Sequence, residues 1–349
     1  FKQKTAYEIM PSLVGSEMCI RDRDSMGGVL ACLVAQTPEP FEEDMKLTIG
    51  IINYHTYPFL RNLLRSIHRN PPSFPYEIIV VDNGDKVDVK KLLLSEFPEL
   101  KVIKNRINVG YARACNQIYP RAKGEYILYL NPDTVVLKDS LNNLVKFMDE
   151  HPEAGAAGAK LLYPDGTLQY SCRHFPNFYN VFFGRQSIFT RYIPNNPITR
   201  KFMLTDLDYS KVHRVDWVIG ASMILRKKVL EELGGFDERF YLYVEDTDVC
   251  YRMRKKGWEV YFVPDSVIYH ALGVSVKYAP FRAKFYHNVG MYRFYLKHYP
   301  IARVLIPVLA MGLLVRIFFI GLSELINNAR GRCDGKAKTA ILHLGDSDT

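Results

Sequence analysis

Three carboxylates crowd four positions at Glu245-Asp246-Thr247-Asp248, directly after the aromatic and apolar run Phe240-Tyr241-Leu242-Tyr243-Val244. A helix dipole stabilises acids in its first turn, but three in four residues exceed what a cap needs. A carboxylate at a crevice can take a proton from an attacking hydroxyl. A second set is Asn131-Pro132-Asp133-Thr134. Pro132 denies a sheet one donor and ends the strand, which leaves Asp133 where one carboxylate plus phosphate oxygens can hold a hard divalent cation. Its plain alternative is an ordinary turn opening the next helix. Asp82-Asn83 offers a carboxylate to a base N–H or a ribose hydroxyl, or simply forms an Asp-Asn-Gly turn. His270, in Tyr269-His270-Ala271, is a metal or phosphate ligand by type, although a lone histidine is more often structural.

The elements that must position these residues begin at Lys46. Leu47–Ile52 and Glu77–Asp82 are β-branched apolar runs, as expected of strands buried on both faces. Between them Leu60, Leu63, Leu64 and Ile67 share one helical face. A helix over 87–97, a strand over 100–104, a helix over 110–122 and a strand over 125–130 continue the alternation. This pattern predicts βαβ units and a mostly parallel sheet flanked by helices, with ligands beyond the carboxyl ends of its strands. Those ends are polar here: Asn53-Tyr54, Asp82-Asn83, Asn105-Arg106 and Asn131-Pro132-Asp133. The four are expected to meet at one crevice.

Farther on, Tyr163-Pro164-Asp165-Gly166-Thr167 is a turn between short strands. Residues 174–212 read as a long loop on the acceptor side. A strand over 217–225, a helix from Lys228 to Gly234, a helix over 244–256 and a strand over 259–263 follow. An aromatic, basic helix is expected over 281–299. Beyond it, Val304–Val315 and Ile317–Leu322 are apolar, interrupted by Arg316. A spanning helix needs about 20 apolar residues, and a central arginine costs about 2.5–3.5 kcal/mol on insertion scales. Basic residues on both sides give no orientation, so the expectation is a helix lying in, or inserting shallowly into, a membrane interface.

The 349 residues carry a formal net charge of +9, which favours acidic partners such as a nucleotide diphosphate or anionic lipid. Six scattered cysteines without a CxxC pair argue against a disulfide framework or zinc site and fit reduced thiols facing the cytosol. Residues 1–44 lack periodicity, and Pro11–Asp22 resembles translated adapter read-through. They are expected to be a non-native or disordered leader, with Met45 a plausible start. The remaining chain divides into a catalytic domain over 45–300, a membrane-associated helix over 301–330 and a tail over 331–349.

Taken in order, Ile52-Asn53-Tyr54, Val80-Val81-Asp82-Asn83, Asn108-Val109-Gly110-Tyr111-Ala112 with Asn116, Asn131-Pro132-Asp133, Gly220-Ala221, Gly234-Gly235-Phe236-Asp237-Glu238, Glu245-Asp246-Thr247-Asp248 and His270 resemble the family-2 glycosyltransferases of GT-A fold, especially rhamnosyltransferase-like members. The resemblance runs from about Lys46 to Tyr299. It implies a Rossmann-like α/β domain that transfers a sugar, with inversion, from a nucleoside diphosphate to a glycan or lipid-linked acceptor in cell-envelope polysaccharide synthesis. By the same resemblance Asn53, Tyr54, Asp82, Asn83, Asn108, Gly110, Arg113 and Asn131 border the nucleotide-sugar. Asp133 and His270 meet Mg²⁺ or Mn²⁺, and Asp246 is the base, a role Glu245 could share. Asn131 stands where the family's metal motif begins with an acid, which leaves the metal fewer protein charges. The donor implied is dTDP-rhamnose or a UDP-sugar, and the site of action the inner face of the cell membrane.

Other classes fit less well. A dinucleotide oxidoreductase requires G-x-G-x-x-G after its first strand, and residues 50–58 contain only Gly50. A nucleic-acid binder requires basic residues among stacking aromatics, whereas the basic cluster at 281–303 adjoins the apolar helix. A non-catalytic nucleotide- or glycan-binding module is the remaining alternative, opposed by the presence of Asp133 and Asp246.

Overall fold

A computed structural model describes residues 44–84, 88–177, 197–271 and 280–329. The expected leader, except Asp44, and the whole expected tail lie outside these segments. Strands β1 (Leu47–Asn53), β2 (Tyr76–Asn83), β3 (Lys101–Asn105) and β4 (Tyr126–Leu130) alternate with helices α1 (Tyr57–Arg69), α2 (Val89–Glu96) and α3 (Tyr111–Ile118). There follow β5 (Thr134–Val136), α4 (Ser140–Glu150), β6 (Ala154–Leu162), β7 (Leu168–Gln169), β8 (Cys172–Arg173), α5 (Pro197–Met203), β9 (His213–Val215) and β10 (Trp217–Val218). The rest is β11 (Ser222–Arg226), α6 (Lys227–Leu233), α7 (Glu245–Lys255), β12 (Glu259–His270), α8 (Pro280–His298), α9 (Pro300–Val304) and α10 (Ile306–Ala329).

The main sheet runs β3-β2-β1-β4-β11-β6-β12-β5. β3, β2, β1 and β4 are mutually parallel, and the antiparallel β11 joins them to the parallel pair β6 and β12. Successive side chains of a strand face opposite sides, and both sides are buried here. Ile49, Ile51, Ile78, Val80 and Leu128 join α1, α2 and α4 in one core. Ile52, Ile79, Val81, Ile127 and Tyr129 join α3, α6 and α7 in the other. That explains why these strands read as unbroken apolar runs. Leu60, Leu63, Leu64 and Ile67 are all fully buried, as their helical spacing predicts, and a proline opens α1 where its missing N–H costs nothing. Cys115, Cys172 and Cys250 are free and buried.

Helix α5 lies within the stretch 174–212 expected to be a long loop, and two further elements depart from the sequence expectation. β12 continues past Val263 to His270, with its pairing to β6 shifting register between Val263 and Val267. A bulge there accommodates Pro264, which ends the apolar alternation in the sequence but not the strand. The strand expected over 217–225 is instead two, β10 paired to β8 and β11 in the main sheet, separated by Ile219-Gly220-Ala221.

Helix α8 is fastened to α7 by a buried charge cluster. Asp248 is fully buried and accepts from Arg252 Nε (2.8 Å), Lys297 Nζ (2.7 Å) and His298 Nε2 (2.7 Å). Burial alone would raise this carboxyl's pKa, but His298, Arg252 and Lys297 outweigh it and hold the group below its ordinary value. Removing one member of such a cluster leaves buried charges uncompensated. Asp248→Asn is therefore expected to lower unfolding free energy by about 3 kcal/mol, read from urea denaturation; a change near zero would show that the cluster does not hold α8.

Candidate active site

The end of β12 and the short β5 bring two of the expected residues together. His270 pairs with Thr134 in antiparallel register, and Ala271 N–H donates to Asp133 O at 3.0 Å. His270 Nε2 consequently stands 3.4 Å from Asp133 Oδ1, with both side chains nearly fully buried. His270 Nδ1–H donates to Gln169 Oε1 at 2.7 Å. Nε2 then faces the Asp133 carboxylate and Asn131 Nδ2, the latter at 3.5 Å. With Nε2 as an acceptor, His270 and Asp133 could share a cation. Among the described residues no three His, Cys, Asp or Glu side chains cluster to hold a metal. A cation here would complete its shell with diphosphate oxygens, the usual arrangement for Mg²⁺.

The carboxyl ends of β2 and β3 meet the loop before α3 in a hydrogen-bonded mesh. Asn83 Nδ2 donates to Asn108 Oδ1 (2.9 Å) and Gly110 O (3.3 Å), while its Oδ1 accepts from Val109 N–H (3.0 Å) and Asn105 Nδ2 (3.2 Å). Gly110 has φ +91°, and a Cβ there would lie 2.7 Å from Tyr241 O. Only glycine permits that approach, and it lets Tyr111 N–H donate to Tyr241 O at 2.7 Å. The loop leading to the acids is thus joined to the start of α3.

The acids emerge from a strained turn. Tyr243 and Val244 both have positive φ, 67° and 70°, a conformation that side-chain-bearing residues adopt only when the surroundings impose it. Val244 is buried against Phe240 and Phe294 of α8. Gly290 makes room for it: a Cβ there would meet Val244 Cγ2 at 3.1 Å. α7 then begins with Glu245 and Asp246 facing the cleft. Asp246 Oδ2 accepts from Gly220 N–H (3.0 Å) and its Oδ1 from Thr247 N–H (2.7 Å). Glu245 is buried, and its Oε2 has no hydrogen-bond partner among the described residues. Burial, then the charge of Asp246, drives the Glu245 carboxyl well above the usual range. Burial also raises Asp246, opposed by its backbone donors from Gly220 and Thr247. Tyr243 stands amid all these acids. Burial, then Glu245, Asp133 and Asp246, push its phenol up to about 12.

One cleft of about 1120 Å³ collects Tyr54, Asn83, Asn108, Gly110, Asn131, Asp133, Glu245, Asp246 and His270 in its lining. Three sequence candidates stand outside that lining. Asn53 and Asp82 are buried side by side at the ends of β1 and β2, and Asn53 Oδ1 accepts from Thr56 Oγ1 at 2.9 Å at the entry to α1. Arg113 faces outward to Glu238 at 2.8 Å. Asn105 supports Asn83 from behind, so three of the four strand ends contribute to the lining. The sequence reading did not select Gln169, the Gly220 N–H or Tyr243. The first two depend on distant pairings, whereas Tyr243 lay in plain view within the aromatic run before the acids.

A model of glycosyl transferase family 2 matches residues 48–234. The chain belongs to this family. A glycosyl transferase family 21 model also matches residues 198–282. The chain is 26% identical over 235 residues to an N-acetylglucosaminyl-diphospho-decaprenol L-rhamnosyltransferase of Mycobacterium tuberculosis, covering 64% of this chain and 75% of that one. It is 27% identical over 236 residues to the rhamnosyltransferase WbbL of Escherichia coli K12, covering 64% and 81%. Among solved structures, a mannosyltransferase of Pyrobaculum calidifontis in complex with GDP-Man and Mn²⁺ superposes with a TM-score of 0.50 at 18% identity, over 88% of this chain and 83% of that one. That likeness shows the GT-A fold. This family-2 glycosyltransferase therefore has the α/β architecture and the enzyme class its motifs imply.

The raised Glu245 carboxyl carries a stability consequence. Unfolded, a glutamate titrates near 4.3; folded, Glu245 keeps its proton to higher pH. Between the two values the folded state binds more protons, so stability falls as pH rises through that window. Glu245→Gln removes this loss. The variant is expected to melt above the wild type at about pH 7.5 by at least ~1 kcal/mol, with the advantage vanishing near pH 4. Parallel pH profiles would contradict the buried, protonated state of Glu245.

Proposed function

We propose that this glycosyltransferase inverts the anomeric centre, with Asp246 as base and Asp133 and His270 on the diphosphate side. The supporting observation is that Asp133, Glu245 and Asp246 line a single cleft with Tyr54 and Asn83 at the carboxyl ends of β1 and β2. A divalent cation, Mg²⁺ or Mn²⁺, held by Asp133 and His270 beside Asn131, would neutralise the leaving diphosphate. Tyr54, Asn83, Asn108 and Gly110 border the nucleotide-sugar, with Asn53 and Asp82 fixing the strand ends behind them. Arg113 acts at most indirectly, through its pairing with Glu238.

The acceptor hydroxyl loses its proton to Asp246. Its oxygen forms the new bond to the anomeric carbon as the bond to the diphosphate oxygen breaks and that electron pair leaves with the diphosphate. The sugar passes through an oxocarbenium-like state. Two backbone N–H groups orient Asp246 and oppose the rise that burial imposes on its carboxyl, which favours the ionised form a base requires. Burial and the neighbouring Asp246 favour the protonated form of Glu245, which leaves Asp246 as the base of a single displacement.

The rhamnosyltransferase relatives support dTDP-rhamnose as donor, with a UDP-sugar next. The name of the mycobacterial relative supports a lipid-linked glycan acceptor in cell-envelope polysaccharide synthesis. No helix among the described residues is long and apolar enough to cross a membrane. The exposed apolar side chains of α9 and α10 suit a helix lying on the inner face of the cell membrane instead.

Asp246→Asn is expected to cut kcat by about a hundredfold to ten-thousandfold while the donor KM changes little. Wild-type kcat should rise with pH as Asp246 ionises. Chelation should abolish transfer, and Mg²⁺ or Mn²⁺ should restore it. Near-normal turnover in Asp246→Asn with a dead Glu245→Gln would reverse the assignment of the base.

A further inference from the structure

The cleft extends well beyond the acids. At about 1120 Å³ it exceeds the ~300–1,000 Å³ typical of small-molecule sites, and its far wall consists of His287, Met291 and Tyr295 of α8 with Val308, Leu313 and Arg316 of α10. α10 has an unusual polarity. From Ile306 to Ser323 its only charged residue is Arg316. That residue is half-buried and lines the cleft, whereas Met311, Leu314, Phe318 and Phe319 are at least half exposed. A helix at an ordinary protein surface has the opposite arrangement.

Arg316 has no carboxylate partner among the described residues, and its nearest electrostatic neighbours are the Tyr295 phenol and His287. Burial, then Arg316, pull the His287 imidazole down to about 4, so it is neutral. Its Nδ1 is shielded from water and without a hydrogen-bond partner among the described residues. Its ring packs edge-on at 5.9 Å against Tyr243, the residue of the strained turn before Glu245 and Asp246. A guanidinium cannot shed its proton, and one partly withdrawn from water favours an anionic partner. The anion would sit one aromatic ring away from the catalytic turn, beside an apolar face open to the outside.

We propose that Arg316, with His287 beside it, forms a subsite for the diphosphate of a polyprenyl-diphosphate-linked acceptor, whose hydrocarbon chain leaves along the exposed apolar face of α9 and α10. A molecule joining an anionic diphosphate to a long apolar chain satisfies both features at once. The subsite rests on the reading of the cleft as a glycosyl-transfer centre and adds to it how the acceptor is held. Arg316 is a binding residue here; the proton and the bond changes remain with Asp246.

The test is direct binding of farnesyl diphosphate, inorganic pyrophosphate, farnesol and UDP or dTDP to the wild-type chain, Arg316→Gln and Arg316→Lys, each with an intact thermal melt. Expected is a loss of at least about tenfold in farnesyl diphosphate affinity in Arg316→Gln, partial rescue in Arg316→Lys, and much weaker wild-type binding of pyrophosphate or farnesol. Nucleotide affinity should change by less than about twofold. A matching loss of UDP or dTDP affinity would assign Arg316 to the donor's diphosphate and overturn the subsite. So would unchanged farnesyl diphosphate affinity, or a wild-type dimer whose contact buries the α10 face. Absence of nucleotide binding in the wild type would instead defeat the glycosyl-transfer reading beneath it.

Discussion

Tyr243 and Val244, two consecutive side-chain-bearing residues, hold left-handed backbone angles immediately before Glu245 and Asp246. That conformation is unfavourable in itself, so the surrounding packing must impose it. The imposing contacts come from two directions. From α8, Phe294 and the Cβ-less Gly290 accept Val244. From α3, the Tyr111 N–H holds the Tyr241 carbonyl, an approach only Gly110 allows. Asp248, one turn into α7, ties the same helix to Lys297 and His298. Were the turn to relax, α7 would begin elsewhere and its first two carboxylates would leave the cleft.

Those two carboxylates are neighbours in sequence yet differ in surroundings. Asp246 receives two backbone N–H groups, one from Gly220 on a separate strand connection. Glu245 receives none at its buried Oε2 among the described residues. Like charges this close cannot both ionise cheaply in a buried setting, and the unequal donors decide which one keeps the proton. Across the cleft Asp133 and His270 meet because β5 turns back antiparallel onto the end of β12. On the proposed assignment the parallel sheet supplies the nucleotide side, and a short antiparallel return the diphosphate side.

Much of this was legible in the residues. The alternation from Leu47 to Leu130 read correctly because strands buried on both faces are apolar at every position and their helices repeat at 3.6. Motif order was enough to indicate the family. Less legible were features set by distant partners. Pro264 ends the sequence pattern of β12, but a bulge carries the strand on to His270. The break at Gly220 is invisible until Asp246 claims its N–H. Asn53 and Arg113 have the right types for ligand contact, yet Thr56 and Glu238 engage them. The inward turn of Arg316 on an otherwise apolar helix depends on how α8 and α10 pack, which no local spacing encodes.

The central claim is that a sugar sits between a diphosphate-side acid and a base in one cleft. A crystal structure of the chain with a non-hydrolysable nucleotide-sugar tests it most directly. The account predicts the nucleotide along Tyr54 and Asn83, the diphosphate at Asp133 and His270, and the Asp246 carboxylate on the opposite face of the sugar ring. A nucleotide-sugar bound outside this cleft, or with Asp246 on the same face as the diphosphate, would contradict it.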